Sequence, residues 1–178
     1  MKEESSSFPP ALRLSLLAIM TAVTTVMTRL VQFPFAPTRG YYHLGDAAVY
    51  FTALSFGPFT ALIAGGVGTA LADLFSPFAQ WAPFSLAIHG LQGLAVGLIA
   101  GKTGDSRVPV LRWILAFAAG TILLCGGYLA AGTLLTGFGA ALAELPGNLG
   151  QSVVGIVCAV LLTPPIRIAL PQIRSWRW

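Results

Sequence analysis

The chain has 178 residues, of which 56% are hydrophobic and only 9% are charged. A soluble domain carries about 25% charged residues, so this chain cannot cover a folded core with polar surface. The composition therefore predicts an integral membrane protein, with the lipid bilayer as its surroundings. The formal net charge of +4 does not indicate nucleic-acid binding, because the basic residues lie between and after apolar runs, where they set membrane topology.

The N-terminal segment bears on targeting, and the two cysteines bear on disulfide bonding. The first ten residues are polar and acidic, and we expect a flexible tail there. The apolar run that follows is too long for a signal-peptide core and has no small-residue cleavage site. Cys125 and Cys158 both fall inside apolar segments, which favours free thiols over a disulfide scaffold.

Six apolar segments follow one another, separated by proline, glycine or charged residues that end and begin helices. The predicted spans are 11–33, 46–56, 58–75, 82–100, 112–136 and 148–166, with polar loops at 101–111 and 137–147. The second span is short, and Gly57-Pro58 separates it from the third. A helix of about 20 residues crosses the hydrocarbon core of a bilayer, so the second span is expected to tilt or to cross only in part.

The basic residues indicate the orientation of these spans. With six spans and both termini in the cytoplasm, eight of the ten Lys and Arg residues lie inside, as the positive-inside rule requires. A five-span chain with its N-terminus outside gives the same number, so the rule fixes only the C-terminus. The Gly57-Pro58 break favours six. The cytoplasmic set is Lys2, Arg13, Lys102, Arg107, Arg112, Arg167, Arg174 and Arg177.

The longest polar interruption is Arg39-Gly40-Tyr41-Tyr42-His43-Leu44-Gly45-Asp46. It lies between the first two spans and combines an arginine, a histidine, an acid and two tyrosines. We interpret it as an outward-facing loop that closes over a small-molecule pocket. Its last residue, Asp46, is equally well placed to be the N-cap of the second span.

Polar side chains gather at the same outer side in the six-span arrangement. Two stripes share the spacing i, i+4, i+7, which places their members on one helical face: Ser85, His89 and Gln92, and then Glu144, Asn148 and Gln151. Polar groups inside a membrane usually face a cavity and mark a site. The predicted substrate-binding set is Arg39, Tyr41, Tyr42, His43, Asp46, Trp81, Ser85, His89, Gln92, Glu144, Asn148 and Gln151.

Other interpretations fit single members of this set. His89 is compatible with an interhelical hydrogen bond, and Asn148 and Gln151 with contacts that join helices. Tyr41, Tyr42 and Trp81 fit an interfacial aromatic belt. The clustering of all these residues at one side favours a binding site, and amides, carboxylates, an imidazole and aromatic rings suit a small, flat, hydrogen-bonding molecule.

Several kinds of chemistry are missing from the sequence. It has no phosphate-binding loop, so the chain is not an ATPase by itself, and no cysteine or histidine motif indicates a metal or another cofactor. Ser85 and His89 could form a serine–histidine pair on one helix, but nothing marks an oxyanion hole, and we expect no catalytic residues. A membrane enzyme that acts on a lipid or peptide through this pair is one alternative, and a structural assembly protein is another.

Small residues recur every four positions. Gly93, Gly97 and Gly101 do so on the fourth span, and Ala18 and Ala22 on the first. Such spacing lets helix backbones approach closely. For the glycines we expect packing inside the bundle.

Together, these motifs resemble the substrate-binding S components of energy-coupling-factor (ECF) transporters, most closely the branch for riboflavin, hydroxymethylpyrimidine or pyridoxine. The similarity extends over about 11–168. The segments that carry it are Gly40 to Ala47, Phe56 to Pro58, Gly65 to Leu74, His89 to Gly93 and Leu145 to Gln151.

The resemblance implies a bundle of six transmembrane helices, both termini cytoplasmic, that forms one substrate-binding domain over 1–178 in the cell membrane. It implies ATP-driven uptake of a vitamin or vitamin precursor, bound near the outer surface. The implied partners are a transmembrane coupling subunit and two ATPase subunits. Ala18 and Ala22 match the AxxxA pattern by which S components dock on the coupling subunit. One departure is His89, where this branch often has lysine, so the ligand or its contacts are expected to differ.

Overall fold

The structure, a computed structural model, describes residues 9–101 and 110–171. Six helices and one two-stranded hairpin make up this part of the chain, which confirms the expected all-α bundle. The elements are α1 (Pro10–Leu30), β1 (Gln32–Phe35), β2 (Gly40–His43), α2 (Gly45–Phe56), α3 (Pro58–Leu74), α4 (Ala82–Ala100), α5 (Val110–Thr136) and α6 (Phe138–Ala169).

Glycines separate two pairs of consecutive helices. Gly57 lies between α2 and α3 with φ 86°, and Gly137 lies between α5 and α6 with φ 95°. This region of backbone conformation favours glycine, because glycine has no Cβ. Pro58 then takes the first position of α3, where its missing N–H removes no helical hydrogen bond. The predicted break at Gly57-Pro58 is confirmed.

The short helix α2 lies at the centre of the bundle. All of its residues except Phe51 are buried, and it packs against α1, α3, α4 and α6. Tyr50 and Leu54 belong to an apolar cluster that also includes Val96 of α4. At 1.5 Å per residue the helix is only about 18 Å long, less than the thickness of a hydrocarbon core. Because its residues are buried, the first turn of α2, which contains Asp46, lies inside the protein.

Glycines bring α3 and α4 into close contact. A Cβ at Gly93 would lie 2.8 Å from the carbonyl oxygen of Ala61, and a Cβ at Gly66 would lie 2.5 Å from that of Leu86. Real Cβ atoms do not approach backbone so closely, so these positions require glycine. The expected internal packing is confirmed for Gly93 and Gly97, whereas Gly101 is the C-cap of α4, with φ 71°.

The stretch between α1 and α2, predicted only as an outward-facing loop, contains a β-hairpin. β1 and β2 pair antiparallel, from Gln32 opposite His43 to Phe35 opposite Gly40. The first helix accordingly ends at Leu30, before the predicted boundary at residue 33. The sequence contained the reason, since Pro34 has no N–H for a helix and is tolerated in an edge strand.

The predicted loop at 137–147 is wrong. α6 begins at Phe138 and continues through Pro146. A proline inside a helix removes one backbone hydrogen bond and bends the helix, but here it does not end it. Ala141 packs against Gly132 of α5, which supports the first turns. Glu144 therefore lies on α6 and not in a loop.

Four helical segments in the described residues are long and apolar enough to cross a membrane. They are α1, α5, α6 and the segment Ala79–Ala100 that contains α4, whereas α3 is apolar but shorter. Large apolar side chains are exposed on the outer helices, among them Leu30 at 76% and Leu134 at 80%. In a bilayer these side chains contact lipid, which explains an apolar composition around a polar interior.

Several expectations concern residues outside the described part. They are the flexible tail up to residue 8, most of the loop at 101–111, and the basic residues Lys2, Lys102, Arg107, Arg174 and Arg177. The cytoplasmic location of both termini therefore stays a prediction.

Candidate functional site

Asp46 is a fully buried carboxylate in the first turn of α2. Its Oδ1 accepts a hydrogen bond of 2.8 Å from Nε2 of Gln92 on α4, and its Oδ2 accepts one of 2.6 Å from Nε2 of Gln151 on α6. The N-cap position is Leu44, so Asp46 is not the cap of α2. Its carboxylate instead joins three helices, because a buried charge is stable only when donors surround it.

His89 is also fully buried and lies beside Asp46. Its Nδ1 lies 2.9 Å from Oε1 of Gln92 and 3.4 Å from Oδ1 of Asp46. Its Nε2 lies 3.1 Å from the hydroxyl of Tyr128 on α5. Both ring nitrogens thus have polar partners, and the imidazole connects Asp46 to α5.

Tyr128 lies between His89 and Ser85. Its hydroxyl is 2.8 Å from Oγ of Ser85, which is one helical turn before His89 on α4. Ser85 and His89 are therefore joined through the tyrosine, and the direct serine–histidine pair of the enzyme alternative does not form among the described contacts. The phenol ring packs at 5.7 Å from the ring of Trp81.

The hairpin covers one side of this network through Tyr41. The Tyr41 hydroxyl donates to Oδ1 of Asp73 near the end of α3, and the ring stacks on Phe78 with centroids 4.5 Å apart. Burial and the neighbouring Asp73 carboxylate raise the pKa of the Tyr41 phenol far above its usual value. Tyr41 therefore stays a neutral donor to Asp73.

His43, the last residue of β2, connects the hairpin to α2 and α6. Its backbone N–H donates to Oε1 of Gln151 at 2.8 Å, and its Nδ1 accepts from the backbone N–H of Gly45 at 3.1 Å. Burial and the neighbouring His89 ring lower the pKa of His43 to about 3, although Asp46 opposes this shift. His43 is therefore neutral at physiological pH.

Tyr42 points to the other side of the strand, where it packs against α6. Its hydroxyl lies 3.4 Å from the carbonyl oxygen of Glu144, and a Cβ at Gly147 would overlap its ring. Burial and the Glu144 carboxylate raise the pKa of Tyr42 to about 12. Gly147 thus forms a notch in α6 that holds the hairpin.

The backbone of Arg39 is fixed from the opposite side. Nε1 of Trp81 and Nε2 of Gln80 both donate to the Arg39 carbonyl oxygen, at 3.1 and 2.9 Å. Arg39 has φ 50°, which an ordinary residue seldom adopts and which surrounding contacts must hold. Its side chain is exposed.

A small cavity lies between the hairpin, α3, α4, α5 and α6. Its volume is about 10 Å³, room for about one water-sized sphere. Two buried carboxylate oxygens in its lining, Oδ2 of Asp73 and Oε2 of Glu144, have no hydrogen-bond partner in the described residues. The lining residues are Gly40, Tyr41, His43, Asp73, Trp81, Ser85, Tyr128, Glu144, Asn148 and Gln151.

The twelve predicted site residues fall into three groups by their location relative to the cavity. Most line the cavity: Tyr41, His43, Trp81, Ser85, Glu144, Asn148 and Gln151. Asp46, His89 and Gln92 lie behind the lining and hold it through hydrogen bonds. Arg39 and Tyr42 lie on the outer turn and on the α6 side of the hairpin.

The predicted set missed Asp73 and Tyr128, which both line the cavity. Asp73 is an acid near the end of an otherwise uncharged helix, and Tyr128 is the one tyrosine in the apolar α5 sequence. A polar group inside an apolar span is the signal that could have identified both.

Ala18 and Ala22 are exposed on α1 and do not pack inside the described bundle. They line a groove of about 420 Å³ between α1 and α3, on the lipid side. The groove is almost entirely apolar and its other walls include Leu17, Ile63 and Leu71. This surface is free for another helix to approach.

The chain is similar to known proteins over most of its length. A family model described as ECF-type riboflavin transporter, S component, matches residues 11–168. The thiamine precursor transporter HmpT of Lactococcus lactis subsp. cremoris (strain MG1363) is 39% identical over 155 residues, 86% of this chain and 87% of that protein. An uncharacterised protein from the gap 3′ region of Pyrococcus woesei is 37% identical over 134 residues, 75% of this chain and 86% of the relative.

The six-helix architecture, the polar site at one end of an apolar bundle and these similarities agree with one another. They indicate a transporter subunit and not an enzyme, and the suspected resemblance is confirmed. This chain belongs to the family of ECF-type riboflavin transporter S components, the membrane subunits that bind vitamins or their precursors.

Proposed function

We propose that this S component binds a single-ring heteroaromatic vitamin precursor of the aminopyrimidine type and carries it across the cell membrane. The observation that supports the ligand class is the pair of buried carboxylate oxygens, on Asp73 and Glu144, that lack a partner in the described residues and line one cavity. A buried acceptor without a donor is unfavourable by about 1–3 kcal/mol. A ligand with N–H donors supplies what these oxygens lack.

The rest of the lining suits a flat ring. Trp81 and Tyr128 pack side by side, and Tyr41 lies at the hairpin side of the cavity. These three rings offer faces for stacking. Asn148 adds an amide at the same level on α6, which can donate or accept. Few polar groups placed in an aromatic cavity are typical of small-molecule sites.

The size of the cavity favours a small ligand. Its volume of about 10 Å³ does not hold even one ring, so binding requires the hairpin or the lining side chains to move. A single pyrimidine ring needs less added space than the three fused rings of riboflavin. The similarity to a thiamine precursor transporter supports the same choice.

For transport, the proposal includes the partners of an ECF importer. The chain docks through the groove around Ala18 and Ala22 on a transmembrane coupling subunit, and two ATPase subunits supply the energy. An exposed apolar groove with two alanines one turn apart on its α1 wall supports this, because small side chains let helix backbones approach closely. The whole chain acts as one substrate-binding domain.

Calorimetry on the detergent-solubilised protein with hydroxymethylpyrimidine tests the ligand. Wild type should bind this thiamine precursor and not riboflavin. Glu144→Gln, Asn148→Ala and His89→Ala should each weaken binding about 5- to 150-fold, the equivalent of one lost buried hydrogen bond. Thr133→Ala, an exposed change on α5, is the control for handling and folding.

Two outcomes would overturn the proposal. Binding of riboflavin without binding of the pyrimidine would reject the ligand class. Pyrimidine binding with unchanged affinity in all three site variants would place the ligand outside this cavity. Mass spectrometry of small molecules that purify with the protein gives an independent identification.

A further inference from the structure

The hydrogen-bond directions around Asp46 can be assigned from chemistry. An ionised carboxylate only accepts, so the amide nitrogen of Gln92 faces Asp46, at 2.8 Å. The amide oxygen of Gln92 then faces Nδ1 of His89, at 2.9 Å. Because Asp46 and Gln92 both present acceptors to Nδ1, this nitrogen carries a proton.

The second nitrogen of His89 then decides the direction of the next two bonds. If Nε2 has no proton, it accepts from the Tyr128 hydroxyl, and Tyr128 in turn accepts from Ser85. If Nε2 is protonated, it donates to Tyr128, and Tyr128 donates to Ser85. In the second case the Ser85 hydroxyl hydrogen is released from Tyr128 and points towards the cavity, where the Asp73 carboxylate competes for it with a ligand.

Ser85 thus presents a different group to the cavity in the two states. With neutral His89, its hydrogen points to Tyr128 and a lone pair faces the cavity. With protonated His89, it is a donor. The cavity already has acceptors without donors on Asp73 and Glu144. A heteroaromatic ring that has acceptor nitrogens as well as amino hydrogens needs a donor in the lining.

The charged and titratable groups around His89 come from every neighbouring element. They are Asp46 on α2, His43 on β2, Asp73 on α3 and Tyr128 on α5. The two carboxylates favour a positive imidazole. His43 has the opposite arrangement, since its Nδ1 accepts from the Gly45 N–H and therefore carries no proton. Of the two adjacent histidines, His89 is placed to take up a proton.

We propose that Tyr128 is a positioning residue that couples the protonation of His89 to the Ser85 hydroxyl. When His89 is protonated, Ser85 becomes a hydrogen-bond donor to the cavity. A ligand's ring nitrogen therefore binds to Ser85 with uptake of one proton. The proton comes from solvent and forms the Nε2–H bond of His89. No other bond is made or broken. The inference rests on the proposed function, because it concerns the ligand of the same cavity.

The tautomers provide a test that needs no ligand. The chain has two histidines, so protein labelled with ¹⁵N-histidine gives two imidazoles. At a pH where both are neutral, the spectrum should contain one Nδ1–H ring and one Nε2–H ring, and His43→Asn should remove the latter. If the remaining ring is also Nε2–H, the assignment of His89 and the relay are wrong.

The proton uptake is measured by calorimetry with hydroxymethylpyrimidine in buffers of different ionisation enthalpy. Wild type should take up more protons per ligand than Tyr128→Phe or Ser85→Ala, and its affinity should fall more steeply as pH rises. The ligand's own titration is common to all variants and cancels in this comparison. Thr133→Ala is the control on the same helix, because its exposed hydroxyl is held by the Leu129 carbonyl oxygen at 2.6 Å, away from the relay. It should keep the wild-type uptake.

The possible failures are distinguishable. If Tyr128→Phe binds more weakly but takes up as many protons as wild type, Tyr128 has only a structural role and the relay is rejected, while the proposed function stands. If wild type does not bind the pyrimidine, both the proposed function and the proton uptake are rejected. The ¹⁵N-histidine spectrum then still tests the hydrogen-bond directions around His89.

Discussion

Gln151 binds Asp46 from the far end of the chain. The two residues are 105 positions apart, and the amide nitrogen of Gln151 donates to the Asp46 carboxylate at 2.6 Å. The oxygen of the same amide accepts from the His43 backbone at 2.8 Å. One side chain on α6 therefore fixes both the first turn of α2 and the end of the hairpin, and the cavity forms between them.

Replacing Gln151 with alanine should destabilise the protein and weaken ligand binding. The substitution leaves one buried carboxylate oxygen and one buried N–H without partners, each a loss of about 1–3 kcal/mol. Thermal unfolding in detergent measures the effect. Gln80→Ala, an exposed glutamine that also donates to a backbone carbonyl, should have a smaller effect. Equal melting temperatures for both variants would contradict the role of Gln151.

Replacing Gly147 with alanine should displace the hairpin. The new Cβ would overlap the ring of Tyr42, so Tyr42 must leave the notch and the hairpin must shift with it. We expect weaker binding of hydroxymethylpyrimidine with the helices intact. Gly150→Ala is the matched control on the same helix, since nothing lies within 4 Å of its added Cβ. The prediction fails if both variants bind like wild type.

Acid should destabilise the protein partly through His43. Its pKa is about 3 in the folded protein, against about 6.5 for an unperturbed histidine. Between these values the unfolded chain binds more protons, so stability is fully present above about pH 6.5 and is lost as pH falls towards 3. His43→Asn keeps an acceptor for the Gly45 N–H but does not titrate. Melting temperatures from pH 7.5 to 4.5 should therefore fall less steeply in the variant, and parallel curves would refute this.

Bulky residues at Ala18 or Ala22 should stop uptake but not binding. Both alanines are exposed in the α1–α3 groove and away from the cavity. Leucine at either position should block the close approach of a partner helix. Uptake by cells that contain the coupling and ATPase subunits is compared with calorimetry on the isolated protein. Ala118→Leu, an exposed change on α5, should leave both unchanged, and loss of binding in the α1 variants would mean that the pair packs inside the bundle.

Reporter tags fused at Met1 and Trp178 should both lie in the cytoplasm. Six helices form an even number, and the basic residues favour a cytoplasmic C-terminus. Protease or labelling access from the outside measures each location. An outside tag at Met1 would require an odd number of crossings and would mean that one of the two shorter helices, α2 or α3, does not cross.

Local features of the sequence determine much of this protein. The apolar composition is a property of the whole chain. The spacing of polar residues on two spans and the Gly57-Pro58 break are visible within one or two helical turns. They correctly predict a six-helix membrane bundle and a gathering of polar side chains at one end. Four of the seven predicted residues that line the cavity follow from the same periodicity, because residues at i, i+4 and i+7 share a helical face whatever packs against it. They are Ser85, Glu144, Asn148 and Gln151.

Only the tertiary structure decided which polar groups face the cavity and which hold it from behind. Asp46 looks like a helix cap when its neighbours alone are considered, yet its partners lie 46 and 105 positions away. The β-hairpin depends on pairing between strands, and α6 continues through Pro146 with its first turns packed on α5, where Ala141 meets Gly132. Tyr128 acquires its role from Ser85 and His89 on another helix. These contacts form between distant segments, and short-range sequence patterns carry no information about which segments meet.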